Sequence, residues 1–132
     1  MSATQLFAPH ALLPDGWARD VLLGWDTAGA LTQVTTGALA PSDTPVAPGP
    51  LLPGLPNLHS HAFQRGFAGL SEYRGAADDS FWTWRDLMYR FARSITPDQL
   101  EDIATQLYIE MLAAGYTSVC EFHYLHHDRA GQ

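Results

Sequence analysis

Residues 51–66 read LLPGLPNLHSHAFQRG, and the two histidines in them, His59 and His61, restrict the fold more than any other feature. Residues two apart point roughly 200° away from each other on a helix but share one face of a strand. Two imidazoles that are to reach one ion at this spacing therefore ask for a strand end. The apolar run 51–58, broken by Pro53, Gly54 and Pro56, supplies the strand and delivers the histidines at its end. Neutral imidazole is a common ligand of zinc and similar divalent metals, and a catalytic site often draws only part of its ligand set from one segment. His-x-His reads as half of such a set. A bare His-x-His equally suits two polar residues at a strand-to-loop junction, so the flanking residues carry the decision.

The flanks PGLPNLHSH and AFQRG closely resemble the first barrel strand of the amidohydrolase superfamily, in which a His-x-His pair at the strand's C-terminal end binds the catalytic metal. Downstream, DSFWTWRDLMYRFA (residues 79–92) and EFHYLHHD (residues 121–128) look like the formimidoylglutamate deiminases, enzymes of histidine degradation. Pro56 stands where the wider superfamily usually has an aliphatic residue, which leans toward this subgroup. The resemblance runs from about Leu13 onward and is weakest before Pro50.

The fold that the resemblance implies is α/β: the N-terminal part of an amidohydrolase (β/α)8 TIM-like barrel, preceded by a small β-sandwich element. Residues 1–50 are then the sandwich portion with a proline-rich crossing, and residues 51–132 the first βαβ part of the barrel. A complete barrel takes about 250 residues, so a chain of 132 is expected to be an N-terminal portion. The implied reaction is hydrolytic deamination of N-formimino-L-glutamate to N-formyl-L-glutamate and ammonia. It needs one divalent metal, taken as zinc, with His59 and His61 as ligands. Gln64, Arg85 and Tyr124 match substrate-contacting positions of the deiminases. A substrate with two carboxylates asks for guanidinium or phenol donors, which suits Arg85 and Tyr124. A glutamine at the place of Gln64 also occurs in related deaminases, so it supports deamination more than this substrate. The catalytic acid and base, a Glu and a His, and the other metal ligands are expected from later strands. Alternatives stay open: another superfamily deaminase or chlorohydrolase acting on a guanidine or heterocyclic amine, or a non-catalytic small metal-binding module.

Composition narrows the partners. The formal charge is −7, from 14 acidic against seven basic residues, and every basic residue is an arginine. A lysine-free acidic chain is a poor candidate for nucleic acid or an anionic membrane. No run of about 18 apolar residues exists, and the first ten residues lack a signal peptide's basic start and apolar core. A cytoplasmic enzyme of small molecules is expected, homo-oligomeric in its full-length form. The one cysteine, Cys120, excludes an internal disulfide and is expected as a buried small residue.

In chain order, residues 5–13, 17–25 and 30–36 read as strands of a meander, with Pro14-Asp15-Gly16 as a turn. Residues 40–50 hold four prolines and read as a linker or extended crossing. Residues 67–77 read as a loop. Asp79 or Ser80 caps a helix with an apolar stripe at Phe81, Trp84, Leu87, Met88 and Phe91. Thr96-Pro97-Asp98-Gln99 marks a second helix start, with an apolar face of Leu100, Ile103, Ala104, Leu107, Tyr108 and Met111 and a stop at Gly115. Residues 116–124 then read as a second strand. Its phase stays open: either Cys120, Phe122 and Tyr124 face inward and Glu121 faces the helices, or Glu121 and His123 face inward. His126 and His127 are adjacent and point apart, a poor pair for one metal.

Overall fold

The computed structural model describes residues 4–72, 80–128 and 130, which fall into two compact units, 1–53 and 54–132. In the first, β1 (Gln5–Leu13), β2 (Gly16–Trp25) and β3 (Leu31–Thr35) form an antiparallel sheet in that order. Gly16 turns the chain between β1 and β2 at a φ of 116°, a backbone region that costs glycine little. The Asp26 carboxylate closes the next turn by accepting the Ala28 and Ala30 amides, each at 2.9 Å. The buried centre is small: Ala8, Ala11 and Val21, joined by Ala47.

Ala47 belongs to the segment expected as a linker, and that segment is not solvated throughout. The Phe7 amide donates to the Pro45 carbonyl at 2.9 Å and the Ala47 amide to the Phe7 carbonyl at 2.8 Å. Val46 and Leu51 thus bridge in parallel to Phe7 and Ala11. Proline lacks a donor but keeps its carbonyl, so a proline-rich stretch can still satisfy the free edge of β1.

In the second unit, β4 (Leu55–Ser60) pairs in parallel with β5 (Tyr116–Glu121). Between them come a 3-10 helix (Ala62–Phe67), α1 (Phe81–Ala92) and α2 (Pro97–Ala113). The α2 start is locally determined: the Gln99 amide donates to the Thr96 hydroxyl at 3.2 Å, and the Gln99 side-chain oxygen accepts the Thr96 amide at 3.0 Å. Gly115, at φ 92°, ends it. The apolar face expected for α2 is the half-buried one. For α1, Ser80 is the cap; Asp79, like residues 73–77 of the expected loop, lies outside the described residues.

Phe63, Phe67 and Met88 form the buried centre of this unit, with Trp84, Phe91, Ile95, Leu100 and Leu125 packed on it. Phe81, expected in the α1 core stripe, is 62% exposed. It opens the first turn, its ring contacts among the described residues are with Trp82 and Trp84, and it lies outside the cluster that buries Met88. Cys120 is also exposed rather than buried. Among the described residues β5 pairs only with β4, and α2 is the helix that packs on it, which leaves the Cys120 side chain open. The strand is shorter than expected, ending at Glu121, because its partner β4 gives way to the 3-10 helix at Ala62. No helix among the described residues is long and apolar enough to cross a membrane.

Two close contacts fix this unit. A Cβ on Gly54 would run into the Thr117 hydroxyl and methyl and come within 2.8 Å of the Thr117 Cβ. Gly54→Ala should therefore cost about 1–3 kcal/mol as an overpacked site, read as a lower melting midpoint. Thr117→Ala, which removes the two nearest atoms, should recover part of the loss. Second, Arg65 grips Glu110 through two parallel hydrogen bonds of 2.9 Å, tying the 3-10 helix to α2. Arg65, and then Gln106, hold the Glu110 carboxyl at about 2, below its ordinary 4.5. A carboxyl lowered on folding contributes stability above its unfolded value that is lost as pH falls toward the folded one. The melting midpoint of the wild type should drop more steeply between pH 4.5 and 2 than that of Glu110→Gln. Equal slopes would show that the exposed pair contributes nothing.

Candidate metal and substrate site

The histidines sit where β4 stops, His59 inside the strand and His61 as the residue before the 3-10 helix. The β4 register slips between Asn57 and Ser60, three steps against two on β5, which is a bulge at residues 58–59. Asn57 holds the bulge by accepting the His59 amide at 3.1 Å. The two rings meet edge to face, with centroids 4.8 Å apart and Nε2 atoms 3.0 Å apart.

His61 Nδ1 lies 3.1 Å from the Phe122 carbonyl oxygen. A carbonyl only accepts, so this nitrogen carries the proton and Nε2 keeps its lone pair, aimed at His59 Nε2. Two ligand nitrogens at 2.0–2.1 Å from one zinc stand roughly 3–3.4 Å apart. The pair fits two positions around a divalent ion. Among the described residues no third His, Cys, Asp or Glu joins it.

Tyr124 stands over His61, ring centroids 4.9 Å apart, and also touches Phe63 and Phe122. Gln64 is one turn along the 3-10 helix, its amide nitrogen 3.6 Å from the Met88 sulfur. Arg85 lies on α1 between two aromatic faces, 5.4 Å from the Trp82 ring centre and 5.2 Å from that of Tyr89. His59, His61 and Tyr124 are thus brought together and Gln64 is near them in the chain. No described contact joins Arg85 to any of them.

The phase of β5 resolves with Phe122 and Tyr124 on the His61 side. Glu121 points the other way with a side chain only 8% exposed, and its Oε1 accepts the Ala62 amide at 2.6 Å. Burial first, and then the Glu121 charge, push the Tyr108 phenol of α2 upward. His123 Nδ1 is 4.0 Å from Glu121 Oε1. His126 and His127 instead line a cavity of about 500 Å3 at the start of α2, with Arg93, Thr96 and Tyr124. Sequence reasoning left Arg65 and Glu110 unassigned; their spacing of 45 residues gives no local signal.

Comparison with known proteins found the following similarities. Residues 3–45 match the sequence model of the family described as formimidoylglutamate deiminase HutF, N-terminal domain. A formimidoylglutamate deiminase of Pseudomonas aeruginosa is 55% identical over 127 residues, which cover 96% of this chain and 28% of that protein. The crystal structure of an amidohydrolase from Brucella melitensis superimposes with a TM-score of 0.87 at 51% identity, over 95% of this chain and 28% of that one. The chain therefore spans little more than a quarter of the length of these relatives. Residues 3–45 are thus similar to the N-terminal domain of the formimidoylglutamate deiminases, and nearly the whole chain is similar to the N-terminal part of those longer relatives.

Proposed function

We propose that this chain supplies the first metal ligands and part of the substrate grip of a longer enzyme that hydrolyses N-formimino-L-glutamate to N-formyl-L-glutamate and ammonia. The observation that carries this reading is the convergence of His59 and His61 Nε2 at 3.0 Å, at the end of a parallel strand, in a chain 55% identical to a deiminase. A divalent ion, zinc on this reading, lowers the pKa of water toward 7 and so supplies hydroxide at neutral pH. His59 and His61 would hold that ion, and the Phe122 carbonyl keeps His61 in the tautomer that could do so. Tyr124 walls the site and offers a phenol donor to the substrate. Gln64 offers an amide, and Arg85, whose guanidinium lies against the Trp82 and Tyr89 rings, offers its N–H donors to a carboxylate.

On the same reading β4 and β5 are the first two strands of a (β/α)8 barrel. A lone parallel pair leaves Leu58, Val119 and Phe122 exposed, whereas parallel sheets are ordinarily covered on both faces. On the same reading the longer enzyme is a cytoplasmic homo-oligomer.

The experiment is substrate profiling of the enzyme of relatives' length that carries this segment. Release of ammonia from N-formimino-L-glutamate, and none from guanidines or heterocyclic amines, is expected; the reverse preference would overturn the assignment. Arg85→Met should lower kcat/KM roughly 10–100-fold, the worth of a hydrogen-bonded carboxylate contact, with bound metal unchanged. Parallel loss of metal and activity would assign Arg85 to folding instead.

A further inference from the structure

We infer that Glu121 is a positioning residue for the metal ligand His61, acting through the His61–Ala62 peptide; this rests on the proposed role of His61. Residues 121 and 122 hold the end of β4 at three successive points. The Phe122 amide donates to the Ser60 carbonyl at 2.9 Å, the Phe122 carbonyl accepts His61 Nδ1 at 3.1 Å, and Glu121 Oε1 accepts the Ala62 amide at 2.6 Å. On the β5 side, the last contact is the one made by a side chain; the other two use the Phe122 backbone.

Its weight comes from where it lies. Ala62 opens the 3-10 helix, so its amide has no partner within that helix. Ala62 is fully buried, so water cannot replace the carboxylate. His61 adopts φ −136° and ψ 82°, outside both regular helix and strand, and nothing in the helix dictates that ψ. The Glu121 acceptor does, because rotating the 61–62 peptide would strand a buried N–H at a cost of about 1–3 kcal/mol. With Ser60 tied to the Phe122 amide and Ala62 to Glu121, the His61 Cα between them is held against β5, which fixes the point from which its ring reaches His59 across the 3.0 Å gap.

Burying a carboxylate is costly unless donors meet it, and here the Ala62 amide donates to Oε1 while the Tyr108 phenol of α2 also reaches the carboxylate. A leucine would fill the space at lower cost, so the acceptor function accounts for an acid at this place. The groups facing it are Tyr108 from α2 and His123 from its own segment.

The test uses zinc alone, titrated to millimolar concentration, with NMR of the histidine rings and of the Ala62 amide. The wild-type Ala62 proton should resonate far downfield, as expected for a 2.6 Å bond to a carboxylate. Glu121→Ala should abolish that shift and weaken zinc binding by at least about tenfold, the range for a group that orients a ligand. Glu121→Gln keeps an acceptor oxygen and should stay within about threefold of wild type on that scale. Val21→Ala, which opens the buried centre of the first unit instead, should leave both readouts unchanged. An unshifted Ala62 amide, equal zinc affinity in Glu121→Ala, or equal loss in the Ala and Gln variants overturns the inference. If instead His59→Ala and His61→Ala bind zinc like wild type, the metal reading itself fails.

Discussion

Replacing His61 with alanine in the longer enzyme proposed above lowers kcat/KM for N-formimino-L-glutamate by roughly 10³-fold, because the metal supplies several kcal/mol to the transition state. His59→Ala does the same. Both variants also lose bound zinc, measured by atomic absorption on the purified protein. The two losses move together because the side chains serve one ion: their Nε2 atoms are 3.0 Å apart and only His61 has its other nitrogen fixed by a carbonyl. Tyr124→Phe keeps the ring over His61 and should retain the metal while weakening substrate binding. A His61→Ala protein with full zinc content and wild-type turnover would remove the pair from the site.

The chain of 132 residues, produced alone, releases no ammonia, melts with low cooperativity and holds zinc only weakly. Catalytic zinc ordinarily takes three protein ligands, and the described residues offer a convergent pair. Fold stability is limited for a related reason. An isolated two-stranded pair is marginal even with help, and here Leu58 is 77% and Phe122 61% exposed. Helix α2 packs one side of β5 with a face that is nowhere fully buried. Burying one such apolar side chain is worth about 1.5–3 kcal/mol, so leaving several in water removes a large share of a normal stability of 5–15 kcal/mol. A cooperative melt, tight one-to-one zinc and turnover by the chain itself would support the small-module alternative instead.

What could be read from sequence was what is local. Pro14-Asp15-Gly16 and residues 26–29 delimited the meander because turn chemistry is written within four residues. Thr96 to Gln99 placed the α2 start to the residue because both halves of a capping box lie three apart. His-x-His indicated its own convergence because strand period is two, although the bulge at 58–59 and the step into a 3-10 helix at Ala62 refine how it is reached. The features that escaped are pairings across the fold. Arg65 meets Glu110, Glu121 meets Ala62, and Ala47 inserts beside Ala8 and Val21, each set by how elements pack rather than by neighbours in the chain. Cys120, read from its apolar flanks, and Phe81, read from a helical stripe, were misjudged because either signal implies burial only where another element covers that face.

The measurement that bears most directly on the metal reading is anomalous diffraction at the zinc edge from crystals grown with zinc. The predicted result is one peak at about 2.0–2.1 Å from both His59 Nε2 and His61 Nε2, with His61 Nδ1 still bonded to the Phe122 carbonyl. Zinc bound at His126 or His127 with the His59–His61 pair empty, or the two imidazoles turned to opposite faces of β4, would contradict it.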